Sequence, residues 1–302
     1  MTAATLAALT AMLVFTAVAP RLGRRLPPAI ATIALTVGSL LVAGSTGFVL
    51  TVLALTWLGQ APLIAWLAEW SPTALGASTP IPTFVAAGCL ALLVAAVART
   101  AIRAFRRGRA LVAVRRAHRG SPNAVIVVDS DRPDAFATPS PGGRIVITST
   151  LMAALTPAEQ QVVLAHERAH LRHWHAWWLL LADLAEAANP LLRPTFATVQ
   201  HAVERWADEN AAHHTGDRTL VARTIARVAL LRHGTATRPA ALAATGGQVP
   251  QRVRALLAPR PARRTLLAGV LVALLAFSTL ATVAVERTGD ALFDRVATVQ
   301  DQ

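Results

Sequence analysis

Residues 156–170 read Thr-Pro-Ala-Glu-Gln-Gln-Val-Val-Leu-Ala-His-Glu-Arg-Ala-His. Thr156 offers an N-cap hydroxyl, Pro157 suits the first helical position and Glu159 completes a capping box, so the spacing predicts a helix from here. Within it His166 and His170 lie four apart, on one helical face, where both imidazoles can reach a single ion. Zinc takes neutral imidazole nitrogen and, in hydrolytic sites, three protein ligands and a water. Glu167 beside the first histidine can accept a proton from that water and later return it to a leaving amine. The pattern therefore points to metal-assisted hydrolysis with one Zn2+ per chain. The rival reading is an exposed helix whose histidines are satisfied by solvent.

The flanks give such a helix its context. Upstream, Val125–Val128 and Arg144–Thr148 are β-branched runs separated by a turn-rich stretch with Pro139, Pro141, Gly142 and Gly143, which predicts strands. Pairing with Val125–Val128 is the plain role of Arg144–Thr148. A second is to hold extended substrate as an added strand. Downstream, the helical pattern runs from Thr156 with no glycine or proline until Pro190. A further helical run covers about 196–212, and 234–250 reads as a loose connection. Together these predict a small α+β unit.

A third ligand must come from outside the pair. The pattern that places a glycine three residues after the second histidine and a histidine three beyond is excluded, because His173 and Ala176 stand there. Glu204 is the preferred candidate, with Glu186, Glu209 and His201 as alternatives. Asp208, four residues after Glu204, shares its helical face and can accept a hydrogen bond from a ligand histidine, fixing its tautomer. Ala207 and Ala211 keep that helix slim enough for close approach. His173 and His175 are expected to be surface histidines.

Further outward, composition indicates a bilayer. The chain is 54% hydrophobic and 15% charged, with mean hydropathy +0.48, more apolar surface than a soluble fold of 302 residues needs to bury. Four stretches are apolar enough to span: about 3–19, 29–57, 81–98 and 265–285. The first lacks a basic leading segment, which suits an uncleaved anchor. The net charge of +13 is all arginine, and its blocks fall on one side. Arg21, Arg24 and Arg25 follow the first span, Arg103–Arg119 follow the third, and Arg260, Arg263 and Arg264 precede the fourth. By the positive-inside rule both termini lie outside and the α+β unit is cytoplasmic. Trp57, Trp66 and Trp70 suit the outer interface. Trp174, Trp177 and Trp178 with Leu179–Leu181 form an apolar patch too short to span, expected against the inner face of the bilayer or the spans. No nucleic-acid motif accompanies the charge, so no nucleic-acid partner is predicted. Cys89, alone in an apolar stretch, reads as a packing residue.

The string from Asp134-Ala135-Phe136-Ala137 through Arg144–Thr148 to His166–His170, with Asn189-Pro190 and Glu204-x-x-x-Asp208 after it, resembles the membrane zinc metallopeptidases of the BlaR/MecR type. More distantly it is similar to the HtpX and CAAX-prenyl-protease group. The resemblance covers roughly residues 120–215. It implies zinc on His166, His170 and Glu204, Glu167 as base and Asp208 as the support behind a ligand. It departs at His175, where an aspartate is common, and at Ala207, where cysteine is. Family members that sense β-lactams carry a large outer penicillin-binding domain; with seventeen residues after Val285, direct antibiotic sensing is not expected.

The expected protein is thus a mainly α integral membrane protein with four transmembrane helices and a cytoplasmic α+β zincin-like metallopeptidase domain. Residues 1–103 form three spans, 104–257 the peptidase domain, and 258–302 the fourth span and a short outer tail. Its expected activity is endopeptidase cleavage of a cytoplasmic or membrane-proximal protein. The alternative is an inactive scaffold or signalling partner that keeps the fold. The oligomeric state is not legible.

Overall fold

The computed structural model describes residues 2–58, 82–117, 124–138, 143–234, 248–259 and 265–298. Trp66, Trp70, Pro139, Pro141, Gly142, Arg119 and the basic block at Arg260–Arg264 lie outside them. The elements in order are α1 (Thr2–Arg25), α2 (Pro28–Leu58), α3 (Thr83–Ala117), β1 (Val125–Val128), β2 (Ala135–Thr138), β3 (Arg144–Thr148), α4 (Ser149–Ala154), α5 (Pro157–Arg172), α6 (His175–Ala188), α7 (Arg193–Thr215), α8 (Arg218–Gly234), α9 (Gln248–Leu257) and α10 (Thr265–Thr298). A 3-10 turn, Pro190–Leu192, joins α6 to α7. Helices α1, α2, α3 and α10 are long and apolar enough to cross a membrane. α3 continues unbroken past Arg103, so the basic segment predicted after the third span is helical as far as Ala117.

The sheet has the order β1-β3-β2, with β1 parallel and β2 antiparallel to β3. β1 and β3 pair as expected. Ala135–Thr138, too short and small to stand out as a strand, takes the other side of β3. Both flanks of β3 are therefore occupied, which removes it as a place for an added substrate strand. β1 and β2 are the outer strands, and β2 is the one that packs beside α5. Asp134 accepts from the Thr148 N–H, so in this register Ala135 and Ala137 turn their backbone groups away from β3. Those outward groups meet side chains: the Ala135 N–H donates to Asp134 (2.9 Å) and its carbonyl accepts from Arg232 (3.1 Å).

α5 begins as its sequence demands. The Thr156 hydroxyl accepts from the Glu159 N–H, and the Glu159 carboxylate accepts from the Thr156 N–H at 2.9 Å; Arg227 of α8 braces that carboxylate at 2.8 Å. The predicted run does not continue to Pro190, however. It breaks at His173–Trp174, and Trp174 sits in the left-handed region at φ 55°. Such a conformation costs a bulky residue on the order of 1–2 kcal/mol, so no local preference makes this corner. Burial of α6 against α2 and α3 does.

α6 and α7 form a hairpin inserted among the long helices. Ala182, Ala185, Leu192, Val199, Ala202 and Val203 join Phe15, Leu35, Val42 and Leu271 in one apolar core. At the hairpin tip Asn189 donates to Thr46 of α2 at 3.1 Å. Thr46 lies well along α2, roughly 27 Å from its start at 1.5 Å per residue. Of the apolar Trp174–Leu181 patch, Leu179 packs against the core of the long helices. Trp174 and Trp177 remain exposed. Two smaller cores sit beyond: Val162, Ala165, Ala211 and Val221 in one, Ile147, Leu151 and Val163 in the other.

Candidate active site

α5 and α7 approach closely because Ala207 and Ala211 are wholly buried between them and their neighbours. That contact brings His166 and His170 of α5 to Glu204 of α7. The two Nε2 atoms are 3.1 Å apart, and the Glu204 carboxylate oxygens lie 3.6 Å from His166 Nε2 and 3.7 Å from His170 Nε2. A tetrahedral ion at about 2.0–2.1 Å from each ligand needs ligand atoms roughly 3.4 Å apart. The observed triangle fits that requirement. These three residues are the group among the described residues whose ligand atoms could hold a metal.

The alternatives for the third position are placed elsewhere. Glu186 is 3.3 Å from Arg103 of α3. Glu209 makes a two-pronged pair with Arg218, at 2.6 and 3.0 Å. The Nδ1 of His201 is buried with no hydrogen-bond partner, and His201 is not in the cluster.

Behind the triangle lies a chain of charges. His166 Nδ1 donates to Asp208 at 3.0 Å, which leaves its Nε2 lone pair facing the cluster. Asp208 accepts twice from Arg252 of α9, both at 2.7 Å, and Arg252 reaches Glu204 at 2.9 Å. Burial alone would lower the His166 pKa, but Asp208 and Glu204 outweigh it and raise it to about 10. Burial would raise Glu204 and Asp208; cationic neighbours reverse this and hold both below the usual carboxylate range. The carboxylates around His166 thus favour positive charge beside them.

His170 differs. Burial and the His166 charge push its pKa down to about 4, and its Nδ1 lies 3.0 Å from Nδ1 of His175. His175 is fully buried, and burial lowers it to about 3. His173 is half-buried, 3.1 Å from the Asn210 amide oxygen and stacked on Trp206. Neither is the surface histidine expected; the corner at Trp174 folds both back toward α7.

Glu167 is buried at the cleft wall. Burial, with Glu204 nearby, raises its carboxyl to about 7 despite the His166 charge and a backbone bond from Ala137. A group that titrates near neutrality suits proton transfer. The cleft itself, about 660 Å³, passes from Phe136 of the β2 edge across His166, Glu167 and His170 to an apolar wall of Val162, Val221, Ile225 and Val228, with Trp174 and Trp177 on its rim.

Two functional residues escaped the sequence. Arg252 lies just past the segment read as a loose connection. Val249, Val253 and Leu256 recur there at helical spacing, a signal for α9, but nothing local announces an arginine aimed at Asp208. His175 was visible as a departure, yet its burial was not.

Comparison with known proteins bears on this cleft. Residues 103–189 match peptidase family M48, a stretch that holds β1–β3, α5 and α6 and stops short of Glu204. The chain is similar to a "Protease HtpX homolog" of Acidiphilium cryptum, 45% identical over 58 residues, 17% of this chain and 19% of the relative. It is similar also to a "Protease HtpX homolog" of Thermoplasma acidophilum, 42% identical over 62 residues, 20% of each. The matched part thus spans about a fifth of each of these relatives. No solved structure matches. The likeness to peptidase family M48 and to these proteases is thus confined to part of the chain.

Proposed function

We propose that this chain is a membrane-embedded zinc endopeptidase whose metal is held by His166, His170 and Glu204. The observation that carries the reading is the triangle of two imidazoles and a carboxylate at near-tetrahedral spacing, its imidazoles on the same helix as Glu167 and its carboxylate on α7. When bound, the zinc would acidify a water and polarise the scissile carbonyl. Glu167 takes the proton from that water and delivers it to the leaving amine. Asp208 holds His166 in the tautomer that turns Nε2 inward. The outward backbone groups of β2 offer an extended substrate a strand to pair with, exchanging their side-chain partners for peptide ones. The valine-lined wall accepts an apolar side chain next to the scissile bond.

The four long apolar helices support a place in a membrane. Arginine distribution supports both termini outside and the cleft inside, with residues 1–103 and 258–302 as the membrane region and 104–257 as the peptidase domain. Within that domain α6 and the first half of α7 share the core of the spans, so the cleft stands close to the bilayer and the substrate is a cytoplasmic or membrane-proximal protein. A regulator that cleaves a repressor, as the BlaR/MecR likeness implies, and a quality-control protease both fit.

The test compares purified wild type with Glu167→Gln and Glu204→Ala. Wild type and Glu167→Gln should each bind about one zinc per chain, while peptide or self cleavage falls about 10²–10⁴-fold in the glutamine variant. Glu204→Ala should lose the metal, and Glu186→Ala should keep it. Equal cleavage by wild type and Glu167→Gln would end the hydrolytic reading and leave the inactive scaffold.

A further inference from the structure

We infer that His175 is a positioning residue that fixes the tautomer of His170, serving it with a neutral imidazole as Asp208 serves His166 with a carboxylate. The inference rests on the metal reading above. His170 Nε2 faces His166 and Glu204, so its remaining nitrogen is Nδ1, and that atom meets His175 Nδ1 at 3.0 Å. Two ring nitrogens at this separation share one proton. If His175 donated it, a neutral His170 would carry its own hydrogen on Nε2, pointed into the ligand triangle, and could not bind an ion. If His170 donates, its Nε2 lone pair is open and His175 keeps its hydrogen on Nε2. Only the second arrangement makes a ligand.

Nothing else in the fold explains a histidine here. It is fully buried, and its Nε2 has no hydrogen-bond partner, a cost that an apolar side chain of similar size would avoid. Its ring lies against both His173 (centroids 5.8 Å, stacked) and Trp206 (4.9 Å), which stack on each other. The left-handed backbone of Trp174 turns the chain so that His175 opens α6 beneath His170. A strained corner and an unpaired nitrogen are thus both retained at a residue whose one polar contact is a metal ligand. The neutral partner also makes the site one negative charge poorer than two carboxylate-backed histidines would.

The experiment is a zinc titration of the full-length, detergent-solubilised protein against a competing chelator, with the visible absorption of the cobalt-loaded form as a second readout. Removing a partner behind a ligand histidine weakens metal binding about 10–100-fold, and His175→Leu should fall in that range while keeping the thermal melt of wild type. His175→Asp should bind zinc at least as tightly as wild type and shift the cobalt bands. It also serves should the leucine variant not fold. Wild-type affinity in both variants, or an aspartate variant as weak as the leucine one, would overturn the role of His175 alone. A wild type that binds no transition metal would overturn the metal reading and this inference with it.

Discussion

Asp183 on α6 and Asp208 on α7 are equally buried, each with 2% of its side chain exposed, and each is met by arginine. Their surroundings differ. Asp183 takes Arg103 at 2.6 Å and Arg107 at 2.9 Å from α3, arginines that are 38% and 55% exposed. Asp208 takes Arg252, 13% exposed, and His166. The first cluster pins the α6–α7 hairpin to a span at a wet edge, where either arginine can turn back to water. The second has no solvent to fall back on, so every member depends on the others. A buried carboxylate can serve as an anchor or as part of a mechanism, and partner exposure tells the two apart.

The comparison is most directly broken at Asp208. Asp208→Ala strands Arg252 without its main partner and releases His166 Nδ1. Removing one member of a buried pair costs about 3–5 kcal/mol, and zinc affinity should fall by at least about 100-fold. A variant that melts and loads zinc like wild type would show the cluster to be as dispensable as a surface pair. Arg252→Met should cost less, about 10-fold in zinc affinity, since Asp208 keeps His166 while Glu204 loses one brace. The smallest effect is expected at the anchor. Asp183→Asn keeps a hydrogen-bond acceptor beside two part-exposed arginines, so it should lower stability by about 1 kcal/mol or less and leave zinc stoichiometry unchanged. Loss of metal in Asp183→Asn would mean that the hairpin anchor sets the geometry of the site, and the distinction drawn between the two aspartates would fail.

Which of these contacts could be foreseen follows from how far apart their members lie. His166, Glu167 and His170 sit within one and a half turns of a helix announced by its own capping box, so their shared face was legible. Glu204 and Asp208 were legible as a pair for the same reason, although preferring Glu204 to Glu186 was a matter of pattern rather than of physics. Arg252 and His175 were not. Arg252 comes 44 residues after the aspartate it grips, beyond α8 and a segment that its composition marks as a loose connection. His175 depended on a helix break with no glycine or proline to mark it. β2 was hidden because two of its four residues are alanines, which carry little strand signal, and β3 was taken for an available edge in consequence.

Apolar run length, arginine placement and the four-residue spacing of two histidines are properties of a chain read locally, and they alone determined the four candidate spans and the helix that bears the site. Tertiary structure decided which carboxylate meets the two imidazoles, which outer strand lies beside them, and which histidine stands behind His170. Each of those outcomes turns on elements distant in sequence competing for the same buried space, and on charges whose worth depends on how much water remains around them.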